Sequence, residues 1–205
     1  MHIVRVEVTP KLVEGMIDVR GDLVKRRLSV DSGINVEEVR SIVGFLVNSD
    51  VSSEEIASRA YDLFADPIIE HSLTDHTFLN SKELFEIIPD AVVSVGFKPG
   101  VTDNPGKAAL DGFRTIFPEA NINSDISTYI SYAFYGINNQ TTPEFLASTL
   151  YNNLIERAVI SDAKMCQNGE WPMIEYPTKP AQEFKQPAHI AVSYTHLRAH
   201  ETELD

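Results

Sequence analysis

The sequence has little cysteine, no long hydrophobic run and no basic run with interleaved aromatics. Cys166 is the only cysteine among 205 residues, so a disulfide within one chain is impossible and a reduced, cytoplasmic setting is expected. The alternating N-terminus lacks the apolar core of a signal peptide, and no apolar stretch approaches the roughly 20 residues of a membrane helix. A net charge of -13 repels phosphate, so we expect neither nucleic acid nor a membrane as partner.

What the sequence does contain is an internal repeat at an offset of 85–90 residues. Alternation of apolar residues predicts a strand over residues 4–8 and again over residues 93–97. A turn at 18–21 corresponds to one at 103–106, where Asn104 is the predicted helix cap and Pro105 suits the first helical turn. The helix that follows in the first copy is predicted to end near Gly33.

The second strand and the second helix repeat as well. Apolar residues on both faces of the second strand predict a sheet that is covered in part on both sides. A capping box of Ser52 and Glu55 opens helix two in the first copy, and Thr142-Pro143 opens it in the second, with Leu154 in its last turn. Third strands are predicted at residues 68–69 and 158–160. The matching strand-two positions are Val39, Ser41, Val43, Phe45 and Val47 in one copy and Ile126, Thr128, Ile130, Tyr132 and Phe134 in the other.

These patterns predict an α+β fold of two tandem βαβαβ units. Each unit is expected to be a small antiparallel-type sheet with two helices on one face and the other face open. Units this small bury little surface alone, so we expect the copies to pair as an intrachain pseudo-dimer with pseudo-twofold symmetry. The predicted divisions are unit one at 1–75, a connector at 76–90, unit two at 91–165 and a proline-rich linker at 166–191.

The C-terminal residues 192–205 are interpreted as an artefact. Ser193 to Glu201 reads S-Y-T-H-L-R-A-H-E, which resembles the translation of a sequencing-library transposase adapter. We therefore exclude these residues from the fold, as one would a cloning scar. The pair His196 and His200, which stands at metal-ligand spacing on a helix, is excluded with them. The natural gene is then expected to continue beyond Ile190 as part of a larger protein.

Candidate catalytic groups are few and weak. The stretch from Gly100 to Lys107 is similar to a phosphate-binding loop but has five residues between its glycines and Ala108 where a hydroxyl is needed. Cys166 has no histidine base near it in sequence. His71 and His76 lack partners at metal-ligand spacing. We predict no catalytic, cofactor-binding or metal-binding residue in this chain.

Two stretches carry a resemblance to a known family. The turn from Lys98 to Gly106, with Gly100, Asp103 and Pro105, is similar to a G-V-x-D-P-x-G turn, and Leu63 to Glu70, with Asp66 and Pro67, is similar to L-x-A-N-P-V-I-E. Both occur in the small linker subunit of phosphoribosylformylglycinamidine synthase, which the chain resembles over about residues 2–165. The first copy departs at the turn, where Pro is missing, and the second copy departs at the end of helix two.

The resemblance implies a non-catalytic role within an ATP-dependent amidoligase of purine biosynthesis. The parent enzyme uses ATP, magnesium and glutamine-derived ammonia, and the linker units bridge its ligase domain and its glutaminase. Cofactors would therefore belong to the parent and none to this fragment. Two alternatives stay open: a tandem regulatory domain that binds a small metabolite, and an independent enzyme with turnover of its own. The residues that the resemblance assigns to structural motifs, without catalytic role, are Gly100, Asp103, Pro105, Gly106, Asp66, Pro67 and Glu70.

Overall fold

The computed structural model describes residues 1–13, 16–138, 141–171 and 173–178. Over these residues the chain is an α+β protein with one six-stranded antiparallel sheet. Its strands are β1 (His2–Pro10), β2 (Glu38–Ser49), β3 (Glu70–Thr74), β4 (Ala91–Phe97), β5 (Asp125–Tyr135) and β6 (Glu156–Ser161). Its helices are α1 (Val19–Ser32), α2 (Ser53–Ser58), α3 (Ala60–Leu63), α4 (Asn104–Ile116), α5 (Pro143–Leu150) and α6 (Ala163–Asn168), with one 3-10 turn at Phe78–Asn80.

The sheet is continuous from the first half of the chain to the second. Its strand order is β3-β1-β2-β5-β4-β6, so β2 and β5 join the two halves at the centre. Their register runs from Glu38 opposite Tyr135 to Asn48 opposite Asp125, and it places Val43 opposite Ile130. The long central strands are therefore paired along almost their whole length, which leaves β3 and β6 at the edges.

One face of the sheet is covered by helices, as the apolar periodicity predicts. Two clusters of buried residues lie there, and each combines both halves of the chain. In one, Val24 and Leu28 of α1 pack with Leu146 of α5. In the other, Ile56 of α2 packs with Phe113 of α4. Burial of such side chains contributes about 1.5–3 kcal/mol each, so the helix layer ties the halves together.

The helix boundaries follow local capping chemistry. Asp103, rather than the predicted Asn104, caps α4, because its carboxylate accepts from the N–H of Gly106. Ser52 and Glu55 form the predicted capping box, and Thr142 caps α5. Gly33 ends α1 with a φ of 66°, in the left-handed region that a glycine adopts at low cost.

Three sequence predictions at helix two and strand three are wrong in detail. Helix two of the first half is broken at Arg59 into α2 and α3. Helix α5 ends at Leu150, and Leu154 is exposed instead of continuing its apolar face. Ile68 and Ile69 are exposed residues of a turn, and β3 begins only at Glu70.

The prediction of an open second sheet face is also wrong. This outer face is covered by the connector at 76–90, whose Phe78 and Phe85 pack with Ile42 and Val92. Described residues after β6 also pack on this face, in α6 and at 171 and 173–178. Cys166 of α6 is buried there, and Ile174 is only 2% exposed.

The predicted artefact at 192–205 and the last part of the predicted linker lie outside the described residues. Among the helices that the structure describes, none is both long enough and apolar enough to cross a membrane.

Candidate interaction site

The turn before α4 is built by the residues that the sequence analysis singled out. Gly100 has a φ of 87°, and Pro105 lies in the first turn of the helix. The Asp103 carboxylate accepts from the Gly106 N–H at 2.7 Å and from the Thr128 hydroxyl at 3.0 Å. An anion at this helix N-terminus would need that N–H, which the Asp103 side chain already occupies. The turn therefore fixes α4 to β5 rather than presenting a phosphate-binding loop.

The first half builds the same turn without its proline. The Asp18 carboxylate accepts from the Gly21 N–H at 2.8 Å and from the Ser41 hydroxyl at 2.8 Å. Asp18 is buried, as is the Ser41 it contacts. A buried carboxylate is stable only with such donors, so the turn is a structural element in this half too.

The turn that follows helix two is held by the same two side-chain to backbone hydrogen bonds in both halves. The Glu70 carboxylate accepts from the Asp66 N–H at 2.8 Å, and the Asp66 carboxylate accepts from the Ile68 N–H at 2.8 Å. In the second half, Glu156 accepts from the Asn152 N–H at 2.7 Å, and the Asn152 side chain accepts from the Leu154 N–H at 3.0 Å. The sequence motif did not indicate this second set, because the second half has no proline at the position that matches Pro67.

Two lysines complete these turns: Lys98, which begins the stretch that resembles the family turn, and Lys11, which no sequence motif indicated. The Lys11 N–H donates to the Ile69 carbonyl at 2.8 Å, and its Nζ donates to the carbonyl of Pro67. The Lys98 N–H donates to the Ile155 carbonyl at 2.9 Å, and its Nζ donates to the carbonyl of Asn153. The signal was present in the sequence, since each lysine directly follows the first strand of its half.

A polar cluster under the outer face was not predicted either. Glu7 is 2% exposed, and its carboxylate accepts from the Tyr129 hydroxyl at 2.8 Å and the Phe78 N–H at 2.9 Å. Arg5 donates to that hydroxyl at 2.6 Å. Burial raises the pKa of Glu7 above its usual value, although hydrogen bonds from Phe78 and Tyr129 and the Arg5 charge oppose the rise. The cluster joins β1, β5 and the connector.

The weak catalytic candidates Cys166, His71 and His76 lie in different parts of the chain. Cys166 is buried, and desolvation, with the charges of Asp162 and Asp90, raises the pKa of its thiol to about 11. Its Sγ lies 3.8 Å from the Ser161 carbonyl oxygen. His71 lies in edge strand β3, and His76 follows it. Within the described ranges, no three His, Cys, Asp or Glu side chains are grouped as metal ligands.

An exposed apolar surface surrounds the end of β1. Leu12, Met16, Ile17, Val19 and Ile69 are all more than a third exposed. Met16, Ile17, Val19 and Ile69 line one hollow of about 320 Å³, and Leu12 lines an adjoining one together with Met16 and Ile17. We call these five residues the β1-end surface. Contiguous exposed apolar side chains on a soluble protein mark sites of contact with a partner.

A larger cavity of about 610 Å³ lies between α1 and α5. Tyr132 and Leu150 line it from one side, and Leu23 and Arg27 line it from the other. In the corresponding place between α3 and α4, Leu63 approaches Gly112 and the rings of Phe45 and Phe64 are 4.8 Å apart. Both Phe45 and Tyr132 therefore lie on the helix face of the sheet.

No protein-family model matches this chain, and no curated protein matches it.

Proposed function

We propose that this chain is a non-catalytic structural and assembly module of phosphoribosylformylglycinamidine synthase. Its role is to bridge the ligase domain and the glutaminase of that enzyme, which uses ATP, magnesium and ammonia from glutamine. The sequence resemblance supplies the family. The use of Asp103, Gly106, Asp66 and Glu70 in backbone-fixing turns is what a scaffold role requires of these motif residues. The cytoplasmic location belongs to the same proposal.

The proposal includes a pseudo-twofold relation between two βαβαβ units. Val43 and Ile130 are counterparts in the sequence repeat, and they are paired with each other in the central strands. The turn at Asp18 and Ser41 has its counterpart at Asp103 and Thr128. An axis through the Val43 pair, normal to the sheet, would relate these features and generate the observed strand order.

The observation that carries the assembly role is the β1-end surface. Five apolar side chains stand exposed around one strand end in a chain with a formal net charge of -13. Exposed apolar side chains gathered in this way gain free energy when a partner covers them. The resemblance implies a ligase domain and a glutaminase as partners, and we propose that the ligase domain covers this surface.

The proposal is tested by measuring the amidation rate of the whole enzyme with glutamine and, separately, with added ammonia. Ile17→Asp should lower the glutamine-dependent rate much more than the rate with added ammonia, because ammonia transfer requires the bridged assembly. Val30→Asp is the matched control, since Val30 is 83% exposed on α1 and does not line either hollow of the β1-end surface. Equal effects of the two variants, or equal losses with both nitrogen sources, would refute the assembly role.

A second candidate function is a tandem regulatory domain that binds a small metabolite. The cavity between α1 and α5 favours it, because both halves of the chain line a volume within the range of ligand pockets. Calorimetry of the chain against amino acids and nucleotides tests this function. Saturable binding that is lost in Tyr132→Trp, which fills the cavity, would support it.

A further inference from the structure

The outer face of the sheet holds a segment that we call the strap, defined as Trp171 with residues 173–178. Its central residue, Ile174, packs against Leu46 and Tyr129. Gly96 provides the floor beneath it, because a Cβ at that position would stand 3.1 Å from the Ile174 Cγ2 atom. Gly44 instead makes room for the Tyr129 ring, which lies where its Cβ would be and which packs against Ile174. Gly96, Leu46 and Tyr129 thus form an apolar depression that receives the Ile174 side chain.

Side chains of the sheet and the connector hold the strap by hydrogen bonds. Arg5 donates to the Ile174 carbonyl at 3.2 Å, and Arg157 donates to the carbonyl of Glu175. At one end, the Trp171 indole N–H donates to the Asn80 side chain at 2.7 Å. At the other end, the Tyr176 hydroxyl donates to the Asp125 carboxylate at 2.6 Å. These contacts come from β1, β5, β6 and the connector.

The strap is extended and has few hydrogen bonds within itself. Among its described residues, one backbone bond joins two strap positions, from the Thr178 N–H to the Tyr176 carbonyl at 2.9 Å. The rest of its polar contacts are made by side chains, its own or those of the body of the protein. Extended peptides bind to proteins by the same two kinds of contact: pockets take non-adjacent side chains, and hydrogen-bond donors of the protein contact peptide carbonyls.

We propose that the outer face is a peptide-binding site that its own strap occupies. The ligand class is an extended segment with a tryptophan, an isoleucine three positions later and a tyrosine two positions after that. Trp171, Ile174 and Tyr176 are these anchors in this chain. The inference concerns the chain by itself and does not depend on the purine enzyme.

Occupancy of the site is linked to the connector through three side chains. Arg5 contacts the strap and also donates to the Tyr129 hydroxyl, which in turn donates to Glu7. Glu7 holds the connector at the Phe78 N–H. Removal of the Tyr129 hydroxyl therefore breaks the hydrogen-bond chain between Arg5, which binds the strap, and Glu7, which binds the connector.

The full chain with Ile174→Asp tests the site, because a carboxylate cannot enter the apolar depression. Trp171 is the only tryptophan, so its emission should shift to the red and become more accessible to acrylamide. A fluorescein-labelled peptide with the sequence of residues 170–178 should then bind this variant saturably, at least about tenfold tighter than it binds the wild-type chain, whose site is occupied. The same peptide with Asp at its isoleucine position is the matched control and should not bind.

An unshifted Trp171 emission, or equal binding of the peptide to variant and wild type, would overturn the proposal. Circular dichroism establishes that the variant is folded. If Ile174→Asp does not fold, Ile174→Ala is measured in the same assays and should give the same changes at smaller amplitude. Absence of any such change in a folded Ile174→Ala chain also contradicts the site.

Hydrogen exchange of Tyr129→Phe tests the link to the connector. Protection should fall both at residues 77–80 and in the strap, because the hydroxyl that joins Arg5 and Glu7 is missing. Asn80→Ala is the control, and it should loosen the Trp171 end of the strap while the Glu7 contact to Phe78 is kept. Loss of protection at only one of the two segments in Tyr129→Phe would show that they are independent.

Discussion

Gly106 at the start of α4 lies so close to the Ile126 carbonyl that a Cβ would stand 2.4 Å from its oxygen. The contacted atom belongs to the backbone of a central strand, which cannot move without disturbing the sheet. The same relation joins Gly21 of α1 to the Val39 carbonyl, where the distance would be 1.9 Å. Each glycine lets a helix N-terminus approach its sheet, where the cap residue also binds the strand.

Gly106→Ala should destabilise the protein by about 3 kcal/mol, the upper end of overpacking costs. Gly112→Ala in the same helix is the matched control, because its Cβ would meet only the Leu63 Cδ2 atom at 3.7 Å. That substitution should stabilise the helix by about 0.5–1 kcal/mol. Urea unfolding of both variants gives the two values. A Gly106→Ala protein as stable as wild type would contradict the close approach.

Asp103→Ala should cost about 2–3 kcal/mol, since it removes a helix cap and the partner of the Thr128 N–H and hydroxyl. Asp103→Asn keeps one acceptor oxygen and should cost less than half as much. Asn104→Ala is the control that separates the two capping assignments, and it should change stability by less than about 0.5 kcal/mol. A larger loss from Asn104→Ala than from Asp103→Ala would restore the original prediction.

The α+β class and the helix-facing residues of the strands could be predicted from sequence because they depend on local periodicity. Val39, Val47, Ile126 and Phe134 fall on the buried helix face, as the alternation predicts. Short-range capping chemistry was equally accessible, as the Ser52 box demonstrates. The Asp103 cap was misplaced by one residue because Asn and Asp stand side by side and both suit the position.

The cover of the outer face could not be predicted in the same way. Phe78, Phe85, Trp171 and Ile174 lie in segments without period two or 3.6, so periodicity gives them no partner. Their burial depends on contacts between residues far apart in sequence. Glu7 illustrates the consequence: an alternating strand predicts a solvated carboxylate there, whereas the connector covers it and supplies a donor. The candidate sites on this face therefore emerge only from the fold.

Glu7→Gln should change how stability depends on pH. Burial raises the folded pKa of Glu7 above its usual value, so between the unfolded and the folded pKa the folded state holds a proton that the unfolded state has released. The stability associated with this group is therefore fully present below the unfolded pKa and is lost as pH rises through the folded pKa. Wild-type stability measured relative to Glu7→Gln should fall as pH increases over that window.

Urea unfolding of both proteins from pH 4 to pH 8 measures this difference. The Tyr129 hydroxyl, which donates to the Glu7 carboxylate, stays protonated over that range because burial raises its pKa further above the usual value. Parallel pH profiles for the two proteins would mean that the Glu7 pKa is the same in the folded and unfolded states.

Cys166 should react with a thiol reagent only when the protein opens. The thiol is buried, and its raised pKa of about 11 keeps it protonated at pH 8, so the nucleophilic thiolate is scarce in the folded state. Modification by Ellman's reagent should be slow in native buffer and fast in urea, where the pKa returns towards 9.0. Because the chain has one cysteine, complete modification releases one equivalent of chromophore per protein, and the rate of release measures how often the protein opens.

The same reaction reports on the strap, since Cys166 lies in the cluster that Trp171 packs against. Ile174→Asp should accelerate Cys166 modification at pH 8 while the protein stays folded, because loss of the strap opens this part of the outer face. The control Val30→Asp, on the opposite side of the sheet, should leave the rate unchanged. Rapid and complete modification of the wild-type protein in native buffer would contradict the burial of Cys166 under the outer face.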